Sequence, residues 1–323
     1  PSLSKTSRTA RSRTSGENLF VVLLMMLHPT QELEPPANPA RFTAPLQVVE
    51  IDGVLRPFDP GDGLDDPGRA LAREGWQTLR DYLADLAPIL PRVDNHVPNL
   101  GRALTRLSAA LGEAFDSGSP IAIGTHGQRV IRLARATGDS ALPEDDVAEL
   151  QEFAVALSLY LERFPEWRAY RDLAAETPAN PETLRKTLPR IAEIEAALAE
   201  RVGVDPTIPA RLRDLRNLAQ EDPQDPIAAA GLLDSFGNIM AALAHGLWRG
   251  IKATGKGLGW SVKTFAAKAL ETAAEKIAGA PFNPAVLTAA DILLNKAAVL
   301  KSIAAAYPQK FVWLLHLLAT LGL

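Results

Sequence analysis

The sequence predicts a mainly α-helical protein, a multi-helix assembly carrying one small β-hairpin near its N-terminus. Three observations lead to this reading. Alanine and leucine dominate the apolar residues and aromatics make up only 6% of the chain, a composition that favours helices over sheets. Apolar side chains recur at helical spacing from residue 67 onward, as at Leu100, Leu104, Leu107 and Leu111. Prolines stand where helices begin. Asp66-Pro67, Asn180-Pro181 and Asn283-Pro284 each place a capping side chain before a proline at the first helical position.

The composition narrows the chemistry. The chain has 323 residues, enough for two domains of ordinary size, and no cysteine. That excludes disulfides, thiolate metal sites and a cysteine nucleophile. The five histidines (His28, His96, His126, His245, His316) are scattered without ligand spacing, so neither a metal nor another cofactor is expected. The net charge of -4 hides an asymmetry. Residues 44–225 hold 31 acidic and 20 basic side chains, whereas 226–323 hold 4 acidic and 9 basic. The acidic segment has a single lysine, Lys186, and the last segment a single arginine, Arg249. The shift marks a domain boundary near 225/226.

In chain order, residues 1–16 form a basic, Ser/Thr-rich leader that buries no core, so disorder is expected. The apolar run 19–27 is too short to span a bilayer as a helix. A basic stretch before an apolar one is the layout of a secretory signal, but the following residues offer no small-x-small cleavage site. The run is therefore expected to pin the leader to the body, with the proline-rich linker ending at 43. "LQVVEIDGVLRPF", residues 46–58, places Asp52-Gly53 between two strand-like runs, the signature of a tight hairpin. "DPGDGLDD", residues 59–66, lacks calcium-loop spacing and reads as an acidic surface loop. Val147, Leu150, Ala154, Leu157, Leu161 and Phe164 then mark another helix, with Pro165 and Pro189 expected to break or kink theirs. Eight to ten helices are expected in all.

Glu50, Asp52, Gly53, Val54 and Leu55 also resemble the first motif of haloacid dehalogenase-type phosphatases, in which a strand ends in D-x-D-G-V-L. The resemblance implies a phosphatase centred on Asp52 and a sheet of five or more strands. It departs from the family at Glu50, the position of the phosphate-accepting aspartate. "PIAIGT", 120–125, is the one further candidate strand.

From Pro226 to Ala280 the chain carries no proline. Phe236, Met240, Leu243, Leu247, Ile251 and their successors to Ile277 recur about every 3.7 residues, a helical stripe. Arg249, Lys252, Lys256 and Lys263 lie opposite it. "GIKATGKG" nearly matches a phosphate-binding loop, but Gly257 stands where a hydroxyl should reach magnesium, and a helical stripe precedes it instead of a strand. With Trp248 and Trp260 the segment resembles interfacial helices, beside the plainer reading of a core helix with a basic solvated face. Residues 227–248 are long enough to span a membrane, but Asp234, Asn238 and His245 make insertion marginal. Residues 311–323 are nearly all apolar and read as a buried terminal helix.

The expectation is a leader (1–43), an acidic helical domain (44–225) and a lysine-bearing helical region (226–323). The function expected is that of a non-enzymatic interaction protein. Trp248, Arg249, Lys252, Lys256, Trp260 and Lys263 would contact a protein partner or an anionic membrane surface. The acidic body would repel phosphates, so nucleic acid is not the expected partner. The two charge blocks would attract each other within the chain. Peripheral membrane association of a cytoplasmic protein is expected over secretion.

Overall fold

The computed structural model describes residues 45–58, 64–139, 142–176, 178–253 and 283–323. The leader, the apolar run 19–27, the linker up to 43 and most of the aspartate-rich loop lie outside the described residues. So do residues 254–282.

The hairpin forms as its turn residues dictate. β1 (Gln47–Ile51) pairs antiparallel with β2 (Val54–Phe58), with Ile51 opposite Val54. Asp52 and Gly53 both take positive φ, 51° and 78°, as the two-residue turn matched to strand twist requires. The outer edge of β2 is paired, and the start of β1 is anchored. Leu55 N–H donates to the Gly203 carbonyl at 2.9 Å, and Asp205 N–H donates to the Leu55 carbonyl at 2.8 Å. On the other side, Leu46 N–H donates to Ser235 Oγ at 3.1 Å. Leu46 and Leu55 are buried in the core beneath.

Twelve helices follow among the described residues. They are α1 (Asp66–Leu86), α2 (Leu90–His96), α3 (Leu100–Leu111), α4 (Pro120–Arg135), α5 (Glu144–Leu161) and α6 (Pro165–Glu176). Then come α7 (Pro181–Ala199), α8 (Thr207–Glu221), α9 (Pro226–Ala253), α10 (Pro284–Asn295), α11 (Ala297–Ala306) and α12 (Pro308–Thr320). Asn180 and Asn283 cap α7 and α10 as expected, each accepting from backbone N–H groups of the first turn. The cap of α1 is Asp65, one residue before the expected Asp66, and accepts from Gly68 N–H at 2.8 Å. α5 ends at Leu161, four residues before Pro165 opens α6, whereas α7 runs through Pro189 without a break.

Residues 120–125 are helical, not a strand. Pro120 sets φ at the first turn of α4. Trp167 of α6 then lies against the Gly124 backbone, where any β-carbon would overlap its ring. Helix packing outweighs the β preference of Ile121 and Ile123, which have no neighbouring strand to pair with among the described residues. Apart from a single bridge between Leu55 and Val204, the two-stranded sheet is likewise the whole of the described β structure, far from the sheet a phosphatase of the haloacid dehalogenase type needs.

The buried residues form two clusters. One is built from α1–α6, around Trp76, Leu104, Phe153, Leu157 and Trp167. The other joins the hairpin to α7–α12. Helix α9 is the wall between them. Its Ile227 and Ala230 belong to the first cluster, and Leu233, Phe236, Ile239, Met240 and Leu243 to the second. Phe236 meets Phe311 of α12 edge to face, centroids 5.8 Å apart. The stripe read from the sequence is thus core at Phe236, Met240, Leu243 and Leu247, and α9 is apolar on its flanks as well. The change of charge at 225/226 falls where the second core is continuous, because α8 and α9 share it.

Gly53→Val should lower stability by about 2–3 kcal/mol, since its β-carbon would strain a left-handed turn and lie 2.7 Å from the β-carbon of Asn283. Asp52→Asn, which tolerates that backbone, should stay within about 0.5 kcal/mol of the parent. Urea unfolding of both variants checks the contrast.

Candidate functional site: the two ends of α9 and the helices after it

Trp248, Arg249 and Lys252 lie in the last two turns of α9, whose backbone is helical to Ala253. Gly250 therefore sits inside a helix, where a phosphate-binding loop would have left a strand. Lys256, Trp260 and Lys263 lie outside the described residues.

The N-terminal end of α9 is built from a short acidic link, "QEDPQDP", residues 220–226. Asp225 precedes Pro226 at the helix start, and its Oδ1 accepts from Ile227 N–H at 3.0 Å. Its Oδ2 accepts from Arg132 of α4 at 2.5 Å, and the carboxylate is almost wholly buried. Asp222 takes Arg129 at 3.0 Å and Arg132 at 3.4 Å. Glu221 takes Arg106 through both oxygens at 3.1 Å and Arg102 at 3.2 Å. Three carboxylates thus hold four arginines of α3 and α4. His126, one turn before Arg129, faces the same layer. Burial, and then the Arg106 charge, lower its pKa to about 4.

Two further polar groups lie deeper along α9, one part-buried and one fully buried. Asp234 accepts from Lys310 of α12 at 2.5 Å. Burial raises the Asp234 pKa while Lys310 opposes it. The Tyr170 hydroxyl, buried close to Gly231, is pushed well above its usual range by burial and then by the Asp234 and Asp225 charges.

At the other end of the chain, α10–α12 carry few charges. Residues 283–323 contain Asp291, Lys296, Lys301 and Lys310 alone. Asp291 pairs with Arg201 at 2.6 Å, Lys296 with Glu193 at 2.8 Å, and Lys310 with Asp234. The first two pairs bridge to 44–225 with opposite senses, so apolar packing carries most of that contact. Phe311, Leu314 and Leu318 are buried, as expected of a terminal helix, yet Val312 is 49% exposed and Trp313, Leu315 and Leu317 are only part-buried.

The residues carrying the phosphatase resemblance serve the hairpin. Asp52 is an exposed turn residue. Glu50 Oε1 accepts from Asn283 Nδ2 at 2.8 Å, the same side chain whose oxygen caps α10. Among the described residues no group of three or more metal-ligating side chains is placed together. The acidic link escaped the sequence reading, although Asp225-Pro226 carries the same cap-then-proline signal as the helix starts that were found. No family model matches the chain, and no curated protein or solved structure matches it significantly.

Asp225→Ala removes the cap and leaves Arg132 facing a cavity, a loss of about 2–4 kcal/mol in stability. Asp225→Asn should cost less, since its oxygen still caps α9. A double-mutant cycle with Arg132→Met should show coupling of at least about 1 kcal/mol, and additive losses would contradict the pairing.

Proposed function

We propose that this chain is a helical interaction protein that docks a protein partner through the outer face of α12. The observation that carries the reading is the surface of that helix. Three of the four charged side chains in 283–323 are committed to partners inside the chain, while Val312 stands half exposed beside part-exposed Trp313, Leu315 and Leu317. Amphipathic aromatic and aliphatic side chains with little charge are what the centre of a protein interface uses. An anionic bilayer is served less well, because Lys296 and Lys310 already neutralise carboxylates.

A photo-cross-linking side chain at position 312 of the full-length chain, in its native cells, should yield a discrete protein product. The same group at exposed Ala169 of α6 should not. Val312→Glu, expected to leave the fold intact at a half-exposed site, should remove partner binding by at least tenfold once the product is identified. Identical products at 312 and 169 would refute the reading. Binding of the intact chain to phosphatidylglycerol vesicles that Val312→Glu abolishes would move it to a membrane.

A further inference from the structure

Helix α9 is apolar along most of its length and is held by charge at its start. Its stretch Pro226–Leu247 is long and apolar enough to cross a membrane, and 72% of that apolar window is buried inside the fold. Its N-terminal end is held to the α1–α6 helices by charge more than by side-chain volume. Only Ile227 and Ala230 of α9 enter their core, while Asp222 and Asp225 bind Arg129 and Arg132.

His126 stands one turn before Arg129 on α4, within reach of the Arg106 charge. Its Nδ1 is enclosed and makes no hydrogen bond among the described residues, as do the Nε atoms of Arg129 and Arg132. The charge that reaches His126 is that of Arg106 on α3, which is itself paired with Glu221 of α8 at 3.1 Å and also acts on Asp214 of α8. Beside α4 on the other flanks lie Tyr170 of α6, close to Thr125 across Gly231, and the Leu157 and Leu161 side chains of α5 at Gly127. Asp234 of α9 lies beyond Tyr170. A proton on the imidazole would place a further cation beside Arg106 and Arg129, in a site that offers Nδ1 no acceptor.

We propose that the layer joining α3 and α4 to the acidic link is a latch on the start of α9, which protonation of His126 releases. The direction follows from the folded histidine, held at about 4 against an ordinary 6.5. The closed latch excludes the proton, so its stability is complete above about 6.5 and declines as pH falls toward 4. Between pH 7.5 and 5.5 the open form gains about tenfold relative to the closed one, while ordinary carboxylates remain ionised. Acidification thus frees the N-terminal turns of a bilayer-length apolar helix. The latch does not depend on the docking face of α12.

Hydrogen exchange of the full-length chain, corrected for the intrinsic effect of pH on exchange, tests the proposal. In the parent, residues 226–235 and 126–135 should lose about tenfold in protection at pH 5.5 relative to 7.5, with 284–294 and 184–198 unchanged. In His126→Gln the pH-dependent loss should fall below about twofold, and His126→Asn serves if that variant does not fold. Asp225→Asn should already show raised exchange at 226–235 at pH 7.5. Uniform loss across all four segments, no loss in the parent, or the same loss in the histidine variants would overturn the latch.

Discussion

The carboxylate of Asp225 is the point through which the two halves of this molecule are joined. One oxygen ends the unsatisfied donors at the start of α9, and the other neutralises Arg132 of α4. Helix starts leave backbone N–H groups without partners, and a buried carboxylate needs a cation or donors to stay ionised. The contacts of Asp225 answer both needs, so the direction of α9 and the position of α4 are set together. From there, α9 carries the packing of the hairpin, α8, α10 and α12 along its length.

That arrangement explains why the longest apolar helix is interior. Leu233, Phe236, Ile239 and Leu243 need neighbours on several sides at once, and only a helix between two clusters has them. The consequence appears at the rim. With the apolar stripe of α9 consumed by the core, the low-charge surface that remains in the described C-terminal region belongs to α12. The energetics of the two ends of α9 also differ. Its middle is held mainly by packed apolar volume, with the one Asp234–Lys310 pair beside it. Its start is held by ion pairs whose strength depends on the charge of each partner.

The hairpin illustrates the same division at smaller scale. Two strands alone are marginal in water. Here the turn chemistry supplies the shape, Gly203 and Asp205 pair with the outer edge of β2, and Ala285 N–H donates to the turn carbonyl of Gly53. Glu50 and Asn283 then tie the hairpin to the cap of α10, which accounts for residues that otherwise resembled a catalytic motif.

What the sequence by itself determined is local. The positive-φ turn at Asp52-Gly53, the caps at Asn180 and Asn283, and the helical stripes of α3, α5 and α9 all follow from residues within one or two turns of each other. Even so, local signals faltered where packing intervened: Ile121 and Ile123 read as strand until Trp167 is laid on Gly124. Tertiary structure alone decided which of the many charges matter. Arg129 and Asp222 are 93 residues apart and Arg106 and Glu221 are 115, so no spacing announces them. It also decided that the stripe of α9 faces a core. An apolar stripe states only that a helix needs a cover, and the cover is provided by whichever helices the rest of the chain brings to it.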